Sequence, residues 1–199
     1  CLSKHRFYMN ELPKQTAAIF DHLSKGHFVN SNSIDQVQRE LYAVLEDQEN
    51  LEILSNYFKH IGFQLEAGDG YFYFSREEDR AGIERKINAA FQWIDIMDFF
   101  TTYHNGFGPG LRFYTTELVE QVRVNGLLRT KLQDMNTSSA SSSSNEQIDA
   151  LLKKLEREGF IEKVDEFDDA WKVTAALHYI QQLIMAIELP QEDDENMIE

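Results

Sequence analysis

The stretch LEREGFIEKVDEFDDAWKV, from Leu155 to Val173, has a counterpart in YFKHIGFQLEAGDGYFYF, from Tyr57 to Phe74. In both stretches a helical pattern ends at a Gly-Phe pair, and glycine readily adopts the left-handed conformation that ends many helices. An alternating segment, an acidic or glycine-containing turn and an aromatic segment follow, which predicts a β-hairpin. Gly62 and Gly159 lie 97 residues apart, so the chain is predicted to contain one supersecondary unit twice.

Helical patterns precede each hairpin. In the first half they predict three helices: one at Leu12–Lys25, one that begins at Ser33, and one from Asp47 to Gly62. A short strand is predicted at His27–Val29. In the second half they predict helices at Arg80–Tyr103, from Thr115 or Thr116 through Leu132, from Ser143 to Gly159 and at Thr174–Glu188. Ser33 with Gln36, and Ser143 with Glu146, have the spacing of capping boxes.

These elements predict the fold. Three helices with a two-stranded hairpin form a winged helix, a relative of the helix-turn-helix. The predicted fold is α+β and mostly α, with two tandem winged-helix domains, a long apolar connecting helix and a C-terminal helix. The domains are placed at 12–78 and 79–189, with a flexible Ser-rich loop at 136–144 and an acidic tail at 190–199. The alternative is a single irregular helical domain that contains two hairpins.

The composition restricts the class of protein. Apolar residues make up 42% of the 199 residues, which favours a folded, soluble chain. Cys1 is the one cysteine, so a disulfide framework is excluded and a reducing cytoplasm is expected. The chain has no apolar run long enough to span a membrane and no signal-peptide core, so we expect no membrane contact. A net charge of -15 repels polyanions at long range, so any contact with DNA has to be local.

The sequence carries no recognisable catalytic motif. The turns at Gly68–Gly70 and Gly108–Gly110 lack the context of a dinucleotide-binding or phosphate-binding loop. The acidic turn around Asp165, Asp168 and Asp169 lacks the pattern of a calcium-binding loop and is interpreted as a solvated hairpin tip. We therefore expect no enzyme activity, no cofactor and no metal. Titratable groups that converge from distant positions remain the alternative.

Few basic residues lie in the two helices that would contact DNA bases in a winged-helix regulator. The third helix of each predicted domain is acidic: Asp47–His60 has three acids against Lys59, and Glu146–Glu158 has four acids against three bases. This disfavours site-specific regulation, which requires several phosphate contacts. The candidates for weak, non-specific DNA contact are Arg112, Arg123, Arg129, Lys131, Lys153 and Lys154. A solvated helical face is the alternative.

The clearest signal is excess apolar surface. The long helix is predicted to carry an apolar stripe of Ile83, Ile87, Phe91, Ile94 and Met97, and further aromatic residues extend to its other faces. Such a helix has to be covered by the two domains, by a second copy or by a partner. The candidates for a dimer or partner interface are Phe91, Trp93, Phe99, Phe100, Leu177, Ile180 and Ile184. Packing within the core alone is the alternative.

The chain resembles a known family. The segment NLEILSNYFKHIGFQLEAGDGYFYFSRE, from Asn50 to Glu77, and the apolar helix after it are similar to the MukE and MksE subunits of bacterial condensins. These subunits belong to the kleisin-interacting tandem winged-helix proteins. The similarity extends from about Leu12 to Leu189.

The resemblance implies a non-catalytic accessory subunit, and it leaves two alternatives. It implies a homodimer that binds an extended kleisin segment, joins an SMC-type ATPase through the kleisin and helps to hold DNA. The complex would serve chromosome condensation and partition, or defence against plasmids, at the nucleoid in the cytoplasm. A winged-helix transcriptional regulator and a tandem winged-helix scaffold of another assembly remain the alternatives.

Overall fold

The computed structural model describes residues 12–76, 80–135, 143–165 and 169–188. Its contacts divide the chain into two compact units, Cys1–Glu77 and Glu78–Glu199. Most of the predicted Ser-rich loop, the acidic tail and Asp168 of the acidic turn lie outside the described residues.

The first unit contains three helices and one small sheet. Its elements are α1 (Thr16–Ser24), β1 (Val29–Asn30), α2 (Gln36–Glu46), α3 (Gln48–His60), β2 (Gln64–Gly68) and β3 (Tyr71–Ser75). The strands form an antiparallel sheet in the order β1-β3-β2. The helices, β1 and β3 bury an apolar core of Ile19, Leu23, Val29, Leu41, Leu45, Leu54, Phe58 and Phe72.

The second unit is larger and has the same strand arrangement. Its elements are α4 (Arg80–Tyr103), β4 (Arg112–Tyr114), α5 (Thr115–Val124), α6 (Gly126–Asp134), α7 (Ser144–Arg157), β5 (Ile161–Lys163), β6 (Ala170–Val173) and α8 (Leu177–Glu188). The strands form an antiparallel sheet in the order β4-β6-β5. The hairpin strand that follows the turn is thus the central strand in both units.

The prediction of an α+β, mostly helical chain is confirmed. Both hairpins are present, and the glycines before them have positive φ angles of 84° at Gly62 and 82° at Gly159. The capping box is also confirmed: the Ser143 hydroxyl accepts from the Glu146 N–H, and the Glu146 carboxylate accepts from the Ser143 N–H. Local signals within four residues therefore identified the ends of these helices.

Several predicted boundaries were wrong. The first capping box does not form, because Asp35 caps α2 by accepting from the Val37 N–H, and the Ser33 hydroxyl accepts from the Asp35 N–H instead. The single helix predicted from Thr115 is two helices, since the Asn125 side chain caps a new helix, α6. Each hairpin also pairs with a third strand: β1 begins two residues later than predicted, and β4 was not predicted.

The predicted apolar stripe of α4 was also wrong. Ile87 and Phe91 are 43% and 54% exposed, and Ile94 and Met97 are only partly buried. The face that is buried instead consists of Ala90, Trp93, Ile96, Phe99 and Phe100. Because α4 carries aromatic residues on several faces, its helical period alone did not identify the face that packs. The side chain of Ile83 lies outside the described part.

Candidate functional site

An open groove of about 600 Å³ lies beside the second hairpin, between α5 and α7. We call it the hairpin groove. Helix α5 contributes one face, α7 contributes Asn145, Asp149 and Leu152, and the hairpin closes one side. The lining residues are Thr115, Thr116, Val119, Glu120, Arg123, Asn145, Asp149, Leu152, Lys163, Asp169 and Trp171.

The hairpin is fastened to the N-terminus of α5. The residue before α5, Tyr114, makes no capping bond with its side chain. The Asp169 carboxylate accepts from the Thr116 N–H at 2.9 Å, and the Asp169 carbonyl accepts from the Thr115 N–H at 3.0 Å. The Trp171 indole donates to the Thr115 hydroxyl at 2.8 Å. A residue 53 positions away in the sequence thus supplies the carboxylate that helix N-termini favour, and it fixes this end of the groove.

The groove combines an apolar floor with a mixed-charge rim. Leu152 and Trp171 are buried and Val119 is half-buried, so these side chains form the floor. The Lys163 ammonium lies 5.6 Å from the centre of the Trp171 ring, and the exposed Arg123 lies on α5. Asp149 forms a 2.8 Å ion pair with Lys153, and this hydrogen bond raises the pKa of Lys153. The surface is suited to a polar peptide with apolar anchors.

A second groove, of about 390 Å³, lies between α4, α6 and α7. The Lys154 ammonium donates to the Gln92 side chain at 3.1 Å and lies 4.9 Å from the centre of the Trp93 ring. Burial lowers the pKa of Lys154, and the Glu158 carboxylate opposes this shift. Lys154 is therefore packed against α4.

The six predicted DNA-contact residues differ in their surroundings. Lys131 is paired with Asp98, Lys153 with Asp149, and Lys154 packs on Trp93. Arg112, Arg123 and Arg129 are exposed, and no acidic side chain pairs with them within the described residues. Their locations differ, because Arg123 lines the hairpin groove and Arg129 lies on α6.

Sheet alternation separates Arg112 from the groove. Arg112 pairs with Lys172 across the sheet, and Phe113 pairs with Trp171. Successive residues of a strand point to opposite faces. Arg112 therefore lies on the sheet face opposite the one where Trp171 lines the hairpin groove.

Most of the predicted interface residues lie in the core of the second unit. Phe99, Phe100 and Leu177 are fully buried, Ile180 is 1% exposed and Trp93 is 8% exposed. The rings of Phe100 and Phe107 stack at 4.4 Å, and Trp93 contacts Phe160 at 5.0 Å. Ile184 is partly buried, so Phe91 is the exposed member of the predicted set.

The sequence predicted grooves beside the hairpins that could receive a kleisin segment, but it did not identify most of the residues that line the hairpin groove or a corner of exposed apolar side chains. Val124 and Leu127, at the junction of α5 and α6, are 76% and 58% exposed. The Thr-Thr pair at the start of α5 was visible in the sequence, but its bonds to Asp169 and Trp171 depend on residues more than 50 positions away. No pattern in the sequence indicated this contact.

Among the residues that the structure describes, no helix is long and apolar enough to cross a membrane. Within the same ranges, no group of three or more His, Cys, Asp or Glu side chains is arranged to hold a metal ion.

Comparison with protein families gives one match that covers most of the chain. The model of the family described as "Condensin complex protein MksE" matches residues 14–184. No curated protein shows significant sequence similarity to the chain.

Proposed function

Because the chain belongs to the family of the condensin complex protein MksE, we propose that it is a non-catalytic accessory subunit of an SMC/kleisin complex. In this proposal the chain binds the kleisin, and the kleisin connects it to the SMC-type ATPase. ATP hydrolysis belongs to the ATPase. The complex acts on DNA in chromosome condensation and partition or in plasmid defence, at the nucleoid in the cytoplasm.

Each unit is proposed to be a winged helix. In the first unit the element order is helix, strand, helix, helix and hairpin. The second unit follows the same order, with α6 inserted between α5 and α7. The shared strand arrangement supports this interpretation, which assigns 12–78 and 79–189 to the two domains.

The hairpin groove is proposed to receive an extended segment of the kleisin. The observation that carries this proposal is the groove itself, which combines an apolar floor at Leu152 and Trp171 with a polar rim. Grooves of this kind bind extended peptides through apolar anchors, and the polar rim fixes their orientation. The fastened N-terminus of α5 keeps the groove open without the partner, which lowers the entropy cost of binding.

The proposals of a homodimer and of DNA binding depend on exposed residues. A homodimer is proposed, with Phe91 as the exposed candidate contact. DNA binding is proposed to be weak, salt-sensitive and independent of sequence, through exposed cations such as Arg112 and Arg129. A regulator that reads a defined site is disfavoured, because α3 exposes Glu49 and Glu52.

The test compares two valines of α5. Val119 lines the groove, and Val124 is 76% exposed outside it. The Val119→Asp variant is expected to lose at least about tenfold in affinity for a kleisin from the same organism, since a carboxylate replaces an apolar side chain of the groove. Val124→Asp introduces the same charge and is expected to bind as the unchanged chain does. Isothermal titration gives the affinities, and circular dichroism checks that both variants are folded.

The same preparations test the dimer by light scattering, which is expected to give about twice the chain mass of 23.2 kDa. Equal kleisin binding by the two variants would remove the groove from the proposal. A chain that does not bind this kleisin at all would contradict the proposed function itself.

A further inference from the structure

We propose that the hairpin groove selects a partner segment that carries acidic residues on both sides of a short apolar stretch. This inference rests on the proposed function, because it names the chemistry of the segment that the groove receives. It follows from the positions of two cations, Arg123 and Lys163, relative to the apolar floor.

Lys163 lies beside the residue that bonds the first turn of α5, and Arg123 lies in the last turn of the same helix. Lys163 packs over the Trp171 ring, and Trp171 is bonded to Thr115 at the first turn of α5. Arg123 comes eight residues after Thr115 on the same helix, which is about 12 Å along the helix axis at 1.5 Å per residue. An extended peptide advances about 3.3 Å per residue. Acidic residues about four positions apart can therefore reach both cations.

The apolar floor lies between these two ends of α5. Val119, one turn from Thr115 and one turn from Arg123, occupies the middle of the α5 face. Leu152 of α7 lines the same groove and is 2% exposed. The residues of the partner between its two acids would rest on this floor, so apolar side chains are favoured there.

The charges within the groove favour carboxylates of a peptide over phosphates of DNA. Neither Arg123 nor Lys163 has an acidic partner within the described residues, whereas Asp149 is paired with Lys153 and Asp169 caps α5. A DNA backbone would bring its charges against Glu120, Asp149 and Asp169 all along the groove. A peptide brings only two charges, each beside a cation, and its apolar contacts offset the repulsion from a chain of net charge -15.

The experiment selects peptides from a random dodecamer library displayed on phage, with the full-length protein as bait. The enriched peptides are expected to contain two acidic residues about four positions apart with apolar residues between them. The best peptide is then synthesised with a fluorescent label, and its affinity is measured by anisotropy. The double variant R123E/K163E is expected to bind it at least about tenfold more weakly.

A matched control separates the groove from the overall charge. The double variant R112E/R129E changes the net charge by the same amount, yet neither residue lines the groove. It is expected to keep the peptide affinity and to weaken binding of a 30-base-pair DNA duplex, whereas R123E/K163E is expected to keep the DNA affinity. If R123E/K163E fails to fold by circular dichroism, R123A/K163A replaces it and a smaller loss is expected.

Three results would overturn the inference. They are enrichment of basic or uncharged peptides, no enrichment of any peptide, and equal loss of peptide binding in both double variants. A loss of DNA binding confined to R123E/K163E would assign the groove to phosphates instead. If R123E/K163E binds the kleisin as the unchanged chain does, the proposed acidic chemistry of the segment is refuted and the proposed function stands. If acidic peptides are enriched but the chain does not bind the kleisin, the proposed function alone is contradicted.

Discussion

The two units share one strand arrangement but fill the space beside it differently. In the first unit Tyr42 of α2 packs against Phe72 of the central strand, with their rings 5.3 Å apart. In the second unit the central strand carries Trp171, and α5 presents Val119 at the hairpin groove. A large aromatic side chain thus covers the central strand in one unit, and a small aliphatic one leaves a groove in the other.

The connection between the helices differs as well. In the first unit α2 is followed directly by α3, and Asp47 is both the last capping residue of α2 and the N-cap of α3. In the second unit α6 separates α5 from α7. The comparison indicates that the repeated scaffold is maintained by local signals, whereas the groove of the second unit coincides with a smaller side chain on the helix beside the hairpin.

The largest expected effect tests whether each unit has its own core. Phe58 and Phe99 are both fully buried, one in each unit. Replacing either by Ala is expected to cost about 3–5 kcal/mol, from the lost burial and the cavity that remains. Hydrogen exchange measured by mass spectrometry should show reduced protection in residues 16–75 for Phe58→Ala and in residues 80–188 for Phe99→Ala.

Phe91 supplies the control for this experiment. It is aromatic and lies on the same helix as Phe99, but it is 54% exposed. At a protein concentration low enough to dissociate the proposed dimer, Phe91→Ala is expected to change the free energy of unfolding by less than about 1 kcal/mol. A loss as large as that of Phe99→Ala under these conditions would mean that Phe91 is buried within the single chain.

Exchanging the residues that distinguish the two units is expected to have an intermediate effect. Val119→Tyr should fill the hairpin groove, which weakens kleisin binding at least about tenfold while the free energy of unfolding changes by about 1 kcal/mol or less. Tyr42→Val removes the ring that packs on Phe72 and is expected to destabilise the first unit by roughly 1–3 kcal/mol. Titration calorimetry and urea unfolding measure the two quantities.

This exchange can fail in an informative way. If Val119→Tyr binds the kleisin as well as the unchanged chain does, the size of this side chain does not control access to the groove. Val124→Tyr, at an exposed position of the same helix, is the matched control and should leave binding unchanged.

The parts of the fold that were predicted from the sequence are those determined by neighbouring residues. Gly62 and Gly159 end their helices with positive φ angles, and no atom outside the adjacent residues lies within 4 Å of a Cβ placed on Gly62. The requirement at Gly62 is therefore conformational and visible in the local sequence. The capping box of Ser143 and Glu146 is local in the same sense.

The parts that were not predicted depend on residues distant in the sequence. Strand β4 has three residues and is defined by its pairing with β6. In this pairing Arg112 lies opposite Lys172, Phe113 opposite Trp171 and Tyr114 opposite Ala170. The buried face of α4 is selected by what packs on it, because apolar residues lie on several faces. Counting cations along the chain likewise ignores the alternation of a sheet, which separates Arg112 from Trp171, and the pairing of Lys131 with Asp98.

The smallest expected effect is a pH dependence confined to the first unit. The rings of His22 and His27 lie 5.2 Å apart, and the His22 ring nitrogen hydrogen-bonds the Phe28 carbonyl at 3.0 Å. Partial desolvation of the His27 ring lowers its pKa although the residue is exposed, with smaller contributions from His22 and Lys25, while Asp21 opposes them. The folded state then binds a proton at His27 less readily than the unfolded state does. The contribution of His27 to the free energy of unfolding is therefore fully present above the pKa of the unfolded state, and it is lost as the pH falls through the pKa of the folded state. The loss between about pH 7.5 and 5.5 should stay below about 1 kcal/mol, since the side chain is exposed.

His27→Asn should flatten this dependence in the first unit and leave the second unit unchanged. The two units can be followed separately, because Trp93 and Trp171, the two tryptophans of the chain, both lie in the second unit. Tryptophan fluorescence in urea therefore reports the second unit, and hydrogen exchange of residues 16–75 reports the first. A pH dependence that persists in His27→Asn would assign it to another titrating group, and His22→Asn would test the neighbour whose charge lowers the pKa of His27.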